Sequence, residues 1–501
     1  MSERTKNSAR NMTVAWMMQI FSICVSFVSR TVFIKLLPAE YLGLNSVFTN
    51  ILSILSLSEL GIGTAIIVSL YKPISEDDRL KIRQLMTFYA SAYRAIGIFV
   101  IACGFILLPF IPQLCKTEIE ISGLRLYFIV YVFQSASSYF FAYRRSLITA
   151  YQKEYICTLS TNISVTLTHL VQIIVLLLTK NYFIYLLIGI LFNVLNNVFM
   201  YIVAEKKYPF IKHHMKDKLD KTEIKALFKD VKSIMVIKIG RVIVDSTDNL
   251  LISSYLGLFW NGLYSNYVLL INSVNQFVNI IFNSMSASIG DFNASRDADE
   301  TYKLFKIVRF MTYWVYGFCA ICFATLFQPF ITIWVGDAYL LDYATVIVVI
   351  FNFYFAGFER LGSIFSSVAR LFSETRIKTI ATAGVNFVCS VILMRFLGLK
   401  GVFLGTVIGH LSAGIWVDAY FLYRRVFHKK LTKYFASVIS NTVVVIIIGL
   451  ITYFTCSFIT GFVLKTIVCV VVSNLLFIAV YFRTDEFINL KKHLLLLLRK
   501  K

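Results

Sequence analysis

The stretch KSIMVIKIGRVIVDSTDNLLISSYLG, residues 232–257, decides how this chain must fold. It is apolar and long enough for a membrane-spanning helix, yet it carries Lys238, Arg241, Asp245 and Asp248. Their spacings of three, four and three residues place the four charges within an arc of roughly 80° on one helix face. Because a charge in the middle of the membrane costs ~2.5–3.5 kcal/mol against lipid, this face must contact other helices or water. The alternative is an internal ion pair, above all Arg241 with Asp245, that only holds the helix bundle together.

The composition of the whole chain predicts an all-α polytopic membrane protein. Of its 501 residues, 58% are hydrophobic and 15% are charged, and six prolines leave long helices uninterrupted. The two-residue alternation of a membrane β-barrel is absent. A net charge of +22 would suggest nucleic acid as a partner in a soluble chain. Here the basic clusters lie between hydrophobic spans, as cytoplasmic loops do, and this argues against nucleic acid.

Apolar segments of membrane-crossing length recur along the chain and predict about fourteen transmembrane helices. They lie at approximately 11–36, 43–70, 85–111, 122–148, 155–179, 182–204, 233–256, 262–289, 308–334, 341–366, 376–397, 401–424, 435–458 and 462–482. With the N-terminus in the cytoplasm, roughly 36 Lys and Arg residues fall on the inner side and 7 on the outer side. This asymmetry predicts a multi-pass protein of the cell (inner, cytoplasmic) membrane with both termini in the cytoplasm.

A polar, lysine-rich linker at residues 205–232 divides the first twelve spans into two groups of six. We predict six-helix lobes at 1–204 and 233–424, two additional transmembrane helices at 425–482 and a basic cytoplasmic tail at 483–501. The two groups share a short echo, because Gly43-Leu44-Asn45-Ser46 opens the second span and Gly262-Leu263-Tyr264-Ser265 opens the eighth. Duplicated bundles are typical of transporters, which bind their substrate between the repeats.

Carboxylates within the predicted spans are candidates for binding a coupling cation, H⁺ or Na⁺. They are Glu59, Asp245, Asp248 and Asp418. Glu59 lies at a depth similar to that of Arg94 in the next span, which predicts an ion pair between them. Asp418 can equally be a packing partner for an arginine or a proton site.

Cationic and amide side chains within the spans provide the predicted substrate site. Arg30, Lys238 and Arg241 can bind a phosphate through charge-assisted hydrogen bonds. Asn275 and Asn279 lie on one face of the eighth span and could bind sugar hydroxyls. The same face also carries Asn272, Gln276 and Asn283. Hydrogen bonding between helices explains this face equally well and requires no substrate.

The remaining reactive residue types predict no metal site, no cofactor and no enzyme. Cys319 and Cys322 have CxxC spacing but lie within a hydrophobic helix without other ligands nearby. His169 and His410 lie in spans, where we expect hydrogen-bonded bundle residues. A membrane enzyme such as a polysaccharide polymerase or ligase needs positioned acid-base groups, and every predicted outer loop is short and without clustered Asp, Glu or His.

Four regions of the sequence resemble the Wzx-type polysaccharide flippases, the O-antigen and capsule repeat-unit exporters of the MOP (multidrug/oligosaccharidyl-lipid/polysaccharide) superfamily. They are residues 9–71, 144–155, 245–267 and 358–379. The resemblance implies two six-helix lobes in a V-shaped, MATE-like arrangement around a cationic central cavity. It also implies that the cargo is an undecaprenyl-pyrophosphate-linked oligosaccharide, moved from the inner to the outer leaflet by alternating access. Arg30, Lys238 and Arg241 would then bind the pyrophosphate.

The resemblance leaves the sugar and the driving ion open, because the related peptidoglycan-precursor flippase shares the fold. The expected partners are the lipid-linked oligosaccharide, membrane lipids and a coupling ion, with polysaccharide assembly machinery as a further candidate. The main alternative is a cation-coupled multidrug exporter of the same superfamily. Such an exporter would favour buried carboxylates for a cationic cargo, whereas buried basic residues here match or outnumber the acidic ones.

Overall fold

A computed structural model describes residues 3–56, 62–211, 219–220, 223–224, 242, 246–295, 298–369 and 371–491. The residues that it describes are almost entirely helical and contain no strand, which confirms the predicted all-α fold. The chain divides into two compact units, residues 1–262 and residues 263–501, called here the first and the second unit.

The first unit consists of helices joined by short turns. They are α1 (Glu3–Leu36), α2 (Ala39–Leu55), α3 (Ile62–Ser75), α4 (Arg79–Leu107), α5 (Ile111–Leu114), α6 (Leu124–Ala150), α7 (Glu154–Thr179) and α8 (Tyr182–Lys207). Side-chain caps mark two of the starts: Asp78 accepts a hydrogen bond from the Lys81 amide before α4, and Asn181 accepts one from the Phe183 amide before α8. Such caps satisfy backbone donors that the first turn leaves without a helical partner.

The predicted linker packs on the first unit where it is described. Ile211 and Leu219 are buried in the apolar core that α3, α4, α6 and α8 share. The Lys81 Nζ lies 2.5 Å from the Glu223 carboxylate and ties the linker to α4. Glu205, the first residue of the linker, pairs with Arg144 at 3.0 Å, so the described part of the linker is held by apolar burial and by ion pairs.

The second unit contains the remaining helices, apart from the first turn of α9, which belongs to the first unit. They are α9 (Leu258–Ser295), α10 (Ala298–Val335), α11 (Tyr343–Val368), α12 (Phe372–Leu397), α13 (Leu399–Gly409), α14 (Val417–Phe421), α15 (Thr432–Ser457) and α16 (Phe462–Tyr481). With 38 residues each, α9 and α10 are ~57 Å long, nearly twice the hydrocarbon thickness of a bilayer. Both therefore extend beyond the membrane.

Ten helices in the described part of the chain are long and apolar enough to cross a membrane. Helical residues also occupy the second, fourth and eighth predicted spans, and residues 246–251 at the end of the seventh. Many large apolar side chains point away from the bundles, and Leu178 and Phe396 are each 79% exposed. Exposed apolar surface of this extent requires an apolar partner. The chain is a multi-pass membrane protein.

Close packing of α2 against the start of α9 depends on two glycines. A Cβ atom on Gly43 would collide with the carbonyl oxygen of Leu258, and one on Gly262 would collide with that of Ala39. The contact is reciprocal, because each glycine faces the residue four positions before the other. Gly43 and Gly262 are also the first residues of the echo in the sequence, so matching positions of the two helix groups meet here.

The turn before α9 is fixed by backbone geometry and by a neighbouring loop. Gly257 has a φ of +107°, a conformation that favours glycine. The Lys116 amide donates to the Ser253 carbonyl at 3.3 Å, and the Lys116 carbonyl accepts from the Leu258 amide at 2.8 Å. These bonds hold the loop after α5 to both sides of the turn.

The predicted twelfth span is interrupted, although it contains no proline. After α13 the backbone forms a π-helical turn at His410–Gly414, continues as α14 and forms a second π-helical turn at Leu422–Val426. The Tyr434 hydroxyl of α15 donates to the Ile415 carbonyl at 2.9 Å, at the irregular part of the span. A π-turn holds more residues than an α-turn, so it changes the direction in which the following side chains point.

Helices α12 and α13 pack closely along a stripe of glycines. Gly405 of α13 leaves room for Ser390 of α12, whose hydroxyl donates to the Val402 carbonyl at 2.8 Å. One turn further along, the Asn386 amide donates to the Thr406 hydroxyl at 2.7 Å. Small residues allow such close approach in membranes, and side-chain hydrogen bonds then reinforce it.

Candidate functional site

Part of the predicted site can be located in the structure. Glu59, Lys238, Arg241 and Asp245 lie outside the described residues, so the predicted ion pairs Glu59–Arg94 and Arg241–Asp245 stay predictions. The other predicted residues are Arg30 and Asp248 in the first unit and Asn275, Asn279 and Asp418 in the second. Asp248 is partly buried in the helical residues 246–251.

Arg30 lies in α1 beside a group of tyrosines. Its charge interacts with Tyr185, whose ring packs edge-on against Phe33 at 5.1 Å. In the same group, the hydroxyls of Tyr131 and Tyr182 both donate to the Asn45 side-chain oxygen. Hydroxyls and aromatic rings of this kind make a guanidinium tolerable within a membrane-spanning helix.

Asn279 makes a hydrogen bond between helices. Its side-chain oxygen on α9 accepts from the guanidinium of Arg360 on α11. The same guanidinium lies 5.6 Å from the centre of the Phe282 ring. Asn275 lies one turn before Asn279 and is partly buried. The structure thus gives Asn279 the interhelical role that the sequence left as an alternative, and it brings Arg360 to this helix face.

Asp418 forms a buried ion pair with Lys378. The Asp418 Oδ2 lies 2.6 Å from the Lys378 Nζ, and the two residues are 1% and 4% exposed. The Ser363 hydroxyl lies 3.1 Å from the Lys378 Nζ and 3.3 Å from the Asp418 Oδ2. Additional hydrogen bonds of this kind are needed before a buried pair can offset the cost of removing two charges from water. The predicted partner of Asp418 was an arginine, whereas the structure shows a lysine.

Glu359 connects Lys378 to His410. Its Oε1 lies 3.4 Å from the Lys378 Nζ, and its Oε2 lies 2.9 Å from the His410 Nδ1. The side chains of Glu359 and His410 are 25% and 11% exposed, against 5% and 2% for Lys378 and Asp418. We call Glu359, Lys378, His410 and Asp418 the buried charge cluster. The carboxylate of Glu359 is its most accessible group.

Two glycines make room for the buried charge cluster. A Cβ atom on Gly362 would lie 2.8 Å from the Cβ of Asp418, which is too close for two carbon atoms. A Cβ atom on Gly414 would lie 3.0 Å from the Glu359 Oε2. Gly414 ends the first π-helical turn, so the irregular backbone and the carboxylate fit together.

Lys378 belongs to the buried charge cluster, although the sequence analysis did not single it out as a candidate. The helix that carries it begins at Phe372, and Lys378 is buried in its second turn. A signal was present in the sequence, because Lys378, Thr382, Asn386 and Ser390 recur every four residues and therefore share one face. The expectation that His410 is a hydrogen-bonded bundle residue is confirmed by its bond to Glu359.

The described cysteines are free thiols. The Cys322 sulfur lies 3.9 Å from the Cys469 sulfur, so it faces α16 rather than Cys319 of its own helix. Among the residues with described positions, no three His, Cys, Asp or Glu side chains gather as metal ligands would.

Comparisons with known proteins give a fold and no family. No family model matches the sequence, and no curated protein matches it. A structure titled "Lipid II flippase MurJ, inward closed conformation" matches with a TM-score of 0.66 at 14% identity, over 94% of this chain and 99% of that one. An inward-facing multidrug resistance MATE family transporter of the MOP superfamily matches with a TM-score of 0.60 at 13% identity, over 82% of this chain and 97% of that one. The Vibrio cholerae MATE transporter VcmN matches with a TM-score of 0.55 at 14% identity, over 85% and 99%.

These matches define the class of the fold. The chain is a multi-pass membrane protein with the all-α fold of MOP-superfamily transporters, as the sequence predicted. At this level of identity the likeness concerns the fold alone.

Proposed function

We propose that the protein is a flippase that moves an undecaprenyl-pyrophosphate-linked oligosaccharide from the inner to the outer leaflet by alternating access. The observation that carries the proposal is the extent of the fold match. The lipid II flippase covers 94% of this chain, whereas the two MATE transporters cover 82% and 85% and are themselves matched almost completely. About a sixth of this chain therefore has no counterpart in them. Residues 425–501, which hold the last two helices and the tail, make up a share of similar size.

The proposed cargo carries a diphosphate, which needs cationic partners within the membrane. In this proposal Arg30, Lys238 and Arg241 line a central cavity and bind the diphosphate by charge-assisted hydrogen bonds. Within the second unit, Arg360 is a further guanidinium in a predicted span, and it donates to Asn279. In this proposal the amide of Asn275, on the same helix as Asn279, binds sugar hydroxyls. A site without positive charge would not offset the free-energy cost of transferring the diphosphate from water into the membrane.

An ion gradient would supply the direction of transport. Cation binding drives a conformational change only when the two conformations bind the cation with different affinity. Of the proposed coupling carboxylates, Glu59 and Asp245 lie outside the described residues, Asp248 is partly buried and Asp418 is buried. Among the described residues, the buried charge cluster of the second unit brings two carboxylates together and could respond to such a cation.

The proposal predicts loss of polysaccharide export when the cationic residues are neutralised. We expect Arg30→Gln, Lys238→Gln and Arg241→Gln each to lower export ~10–100-fold, because a charge-assisted hydrogen bond contributes ~1.5–3 kcal/mol. The measurement is surface polysaccharide in a deletion strain that carries each variant, together with the lipid-linked oligosaccharide retained on the inner leaflet.

A matched control is Lys400→Gln, which removes a half-exposed lysine near the start of α13 and should leave export unchanged. Undiminished export by the triple variant would refute the assignment of these residues to the diphosphate. Drug resistance that depends on the gene while surface polysaccharide does not would favour the multidrug-exporter alternative.

A further inference from the structure

The negative charges of the buried charge cluster outnumber its positive charges. Glu359 and Asp418 contribute two negative charges and Lys378 one positive charge, so the cluster carries a net charge of −1 while His410 is neutral. A net charge in a poorly solvated interior is costly, and a buried group of this kind binds a proton rather than remain charged. One added proton makes the cluster neutral.

The lysine occupies the place that a metal ion would need. Its Nζ lies 2.6 Å from the Asp418 Oδ2 and 3.4 Å from the Glu359 Oε1, and the Ser363 hydroxyl is also within reach at 3.1 Å. A hard cation such as Na⁺ would bind these same oxygen atoms. Because the ammonium is covalently tethered and 4% exposed, a metal ion would have to displace it into surrounding protein.

At the other end of the cluster a carboxylate faces an imidazole. The Glu359 Oε2 and the His410 Nδ1 are 2.9 Å apart, so a single proton can lie between a carboxylate and an imidazole. These two side chains are more exposed than those of Lys378 and Asp418. Of the two ends of the cluster, the Glu359–His410 end is therefore the one more open to an incoming proton, and the Lys378–Asp418 pair is the more enclosed.

The described groups on neighbouring elements do not supply another acid to the cluster. Tyr434 of α15 lies near Asp418, but its hydroxyl donates to the Ile415 carbonyl. Arg309 of α10 donates to the Tyr423 hydroxyl at 3.1 Å. Tyr313, also on α10, lies 3.4 Å from the Ser437 hydroxyl. Arg360, the neighbour of Glu359 on α11, donates to Asn279.

We propose that Glu359 and His410 bind one exchangeable proton, and that the Lys378 ammonium is the fixed counter-ion of Asp418 in place of a metal ion. The inference rests on the proposed transport function in one respect, since it makes the proton the coupling ion. Proton binding itself can be measured without transport.

The test uses the full-length protein in lipid nanodiscs and infrared difference spectra between about pH 5 and pH 8, where histidine and perturbed carboxyls titrate. We expect one carboxyl or imidazolium band that disappears in both Glu359→Gln and His410→Gln. Glu374→Gln is the control, because Glu374 also lies in the second unit but pairs with Arg425 outside the cluster. A titration that persists in both cluster variants overturns the proposal.

A second measurement distinguishes the proton from a metal ion. Replacing choline by Na⁺ at about 0.15 M should leave the band and the thermal stability of the natural protein unchanged. Lys378→Gln should become Na⁺-dependent, because it leaves two carboxylates without their tethered cation, while Lys400→Gln should not. If Na⁺ stabilises the natural protein or removes its band, the site binds a metal ion and the proposal is wrong.

A second variant is needed in case Lys378→Gln does not fold. If Lys378→Gln does not fold, the double variant Lys378→Gln/Asp418→Asn removes one charge of each sign, and it should fold and retain the band from Glu359 and His410. An absent band together with export that requires Arg30 would refute the proton site and leave the flippase proposal intact. A normal band in a protein that exports no polysaccharide would support the proton site and refute the flippase proposal.

Discussion

Gly43→Ala and Gly262→Ala are each expected to destabilise the first unit by ~3 kcal/mol, the upper part of the range for added methyl groups in a packed interior. In both cases the new Cβ would collide with a backbone carbonyl oxygen, of Leu258 or of Ala39. A flexible side chain could turn aside, whereas a carbonyl moves only with its helix. The start of α2 and the start of α9 would therefore have to separate. Thermal unfolding of the purified variants in nanodiscs measures the effect.

Gly384→Ala is the matched control, because an added Cβ at this position of α12 meets nothing within 4 Å. Here alanine should be neutral or stabilising by up to ~1 kcal/mol, since glycine is the poorer helix former. The double variant Gly43→Ala/Gly262→Ala should lose less than the sum of the single losses, because one separation of the helices relieves both collisions. Equal stability of Gly43→Ala and Gly384→Ala would contradict the reciprocal contact.

The fold of this chain could be predicted from its sequence because two strong signals encode it directly. Apolar stretches of membrane-crossing length predict the helices, and each predicted span is mainly helical where the structure describes it. The glycines that permit close packing can also be read, since Gly401, Gly405 and Gly409 recur every four residues. The residues that these glycines contact cannot be predicted from the sequence, because the register of α12 against α13 depends on the fit of both surfaces.

The buried charge cluster was only partly predictable. Glu359 and Asp418 stand out as acids within apolar spans, but the sequence does not say which base approaches them. Lys378 lies near the start of its predicted span, at 376–397, and its burial, which the sequence does not show, places it among the buried groups. The π-helical turn at His410–Gly414 has no sequence signature such as proline, and it brings His410 to Glu359. Tertiary contacts decide these features.

Removing one partner of the Lys378–Asp418 pair is the second change with a large expected effect. Asp418→Asn leaves a buried ammonium with a more distant carboxylate at 3.4 Å. Lys378→Met leaves a buried carboxylate that keeps, among the described hydrogen bonds, the one from the Ser363 hydroxyl. Each should cost about 3–5 kcal/mol, the usual loss when a buried pair is broken. The double variant Lys378→Met/Asp418→Asn removes both charges of the pair and should recover most of the loss. Thermal unfolding of the four proteins forms a double-mutant cycle.

The pair Lys400–Asp342 provides a comparison with the same residue types at a half-exposed position. Its atoms are 3.3 Å apart and its side chains are 42% and 52% exposed. Burial disfavours the charged form of Asp342, but hydrogen bonds from Thr345 and Lys400 outweigh it and lower the pKa, so the carboxyl is ionised at neutral pH. Because water screens this pair, Lys400→Met and Asp342→Asn should show a coupling of at most ~1 kcal/mol. If the coupling energy of Lys378 and Asp418 is as small as that of the exposed pair, water must screen the buried ion pair as well. That result would contradict the enclosure of Lys378 and Asp418.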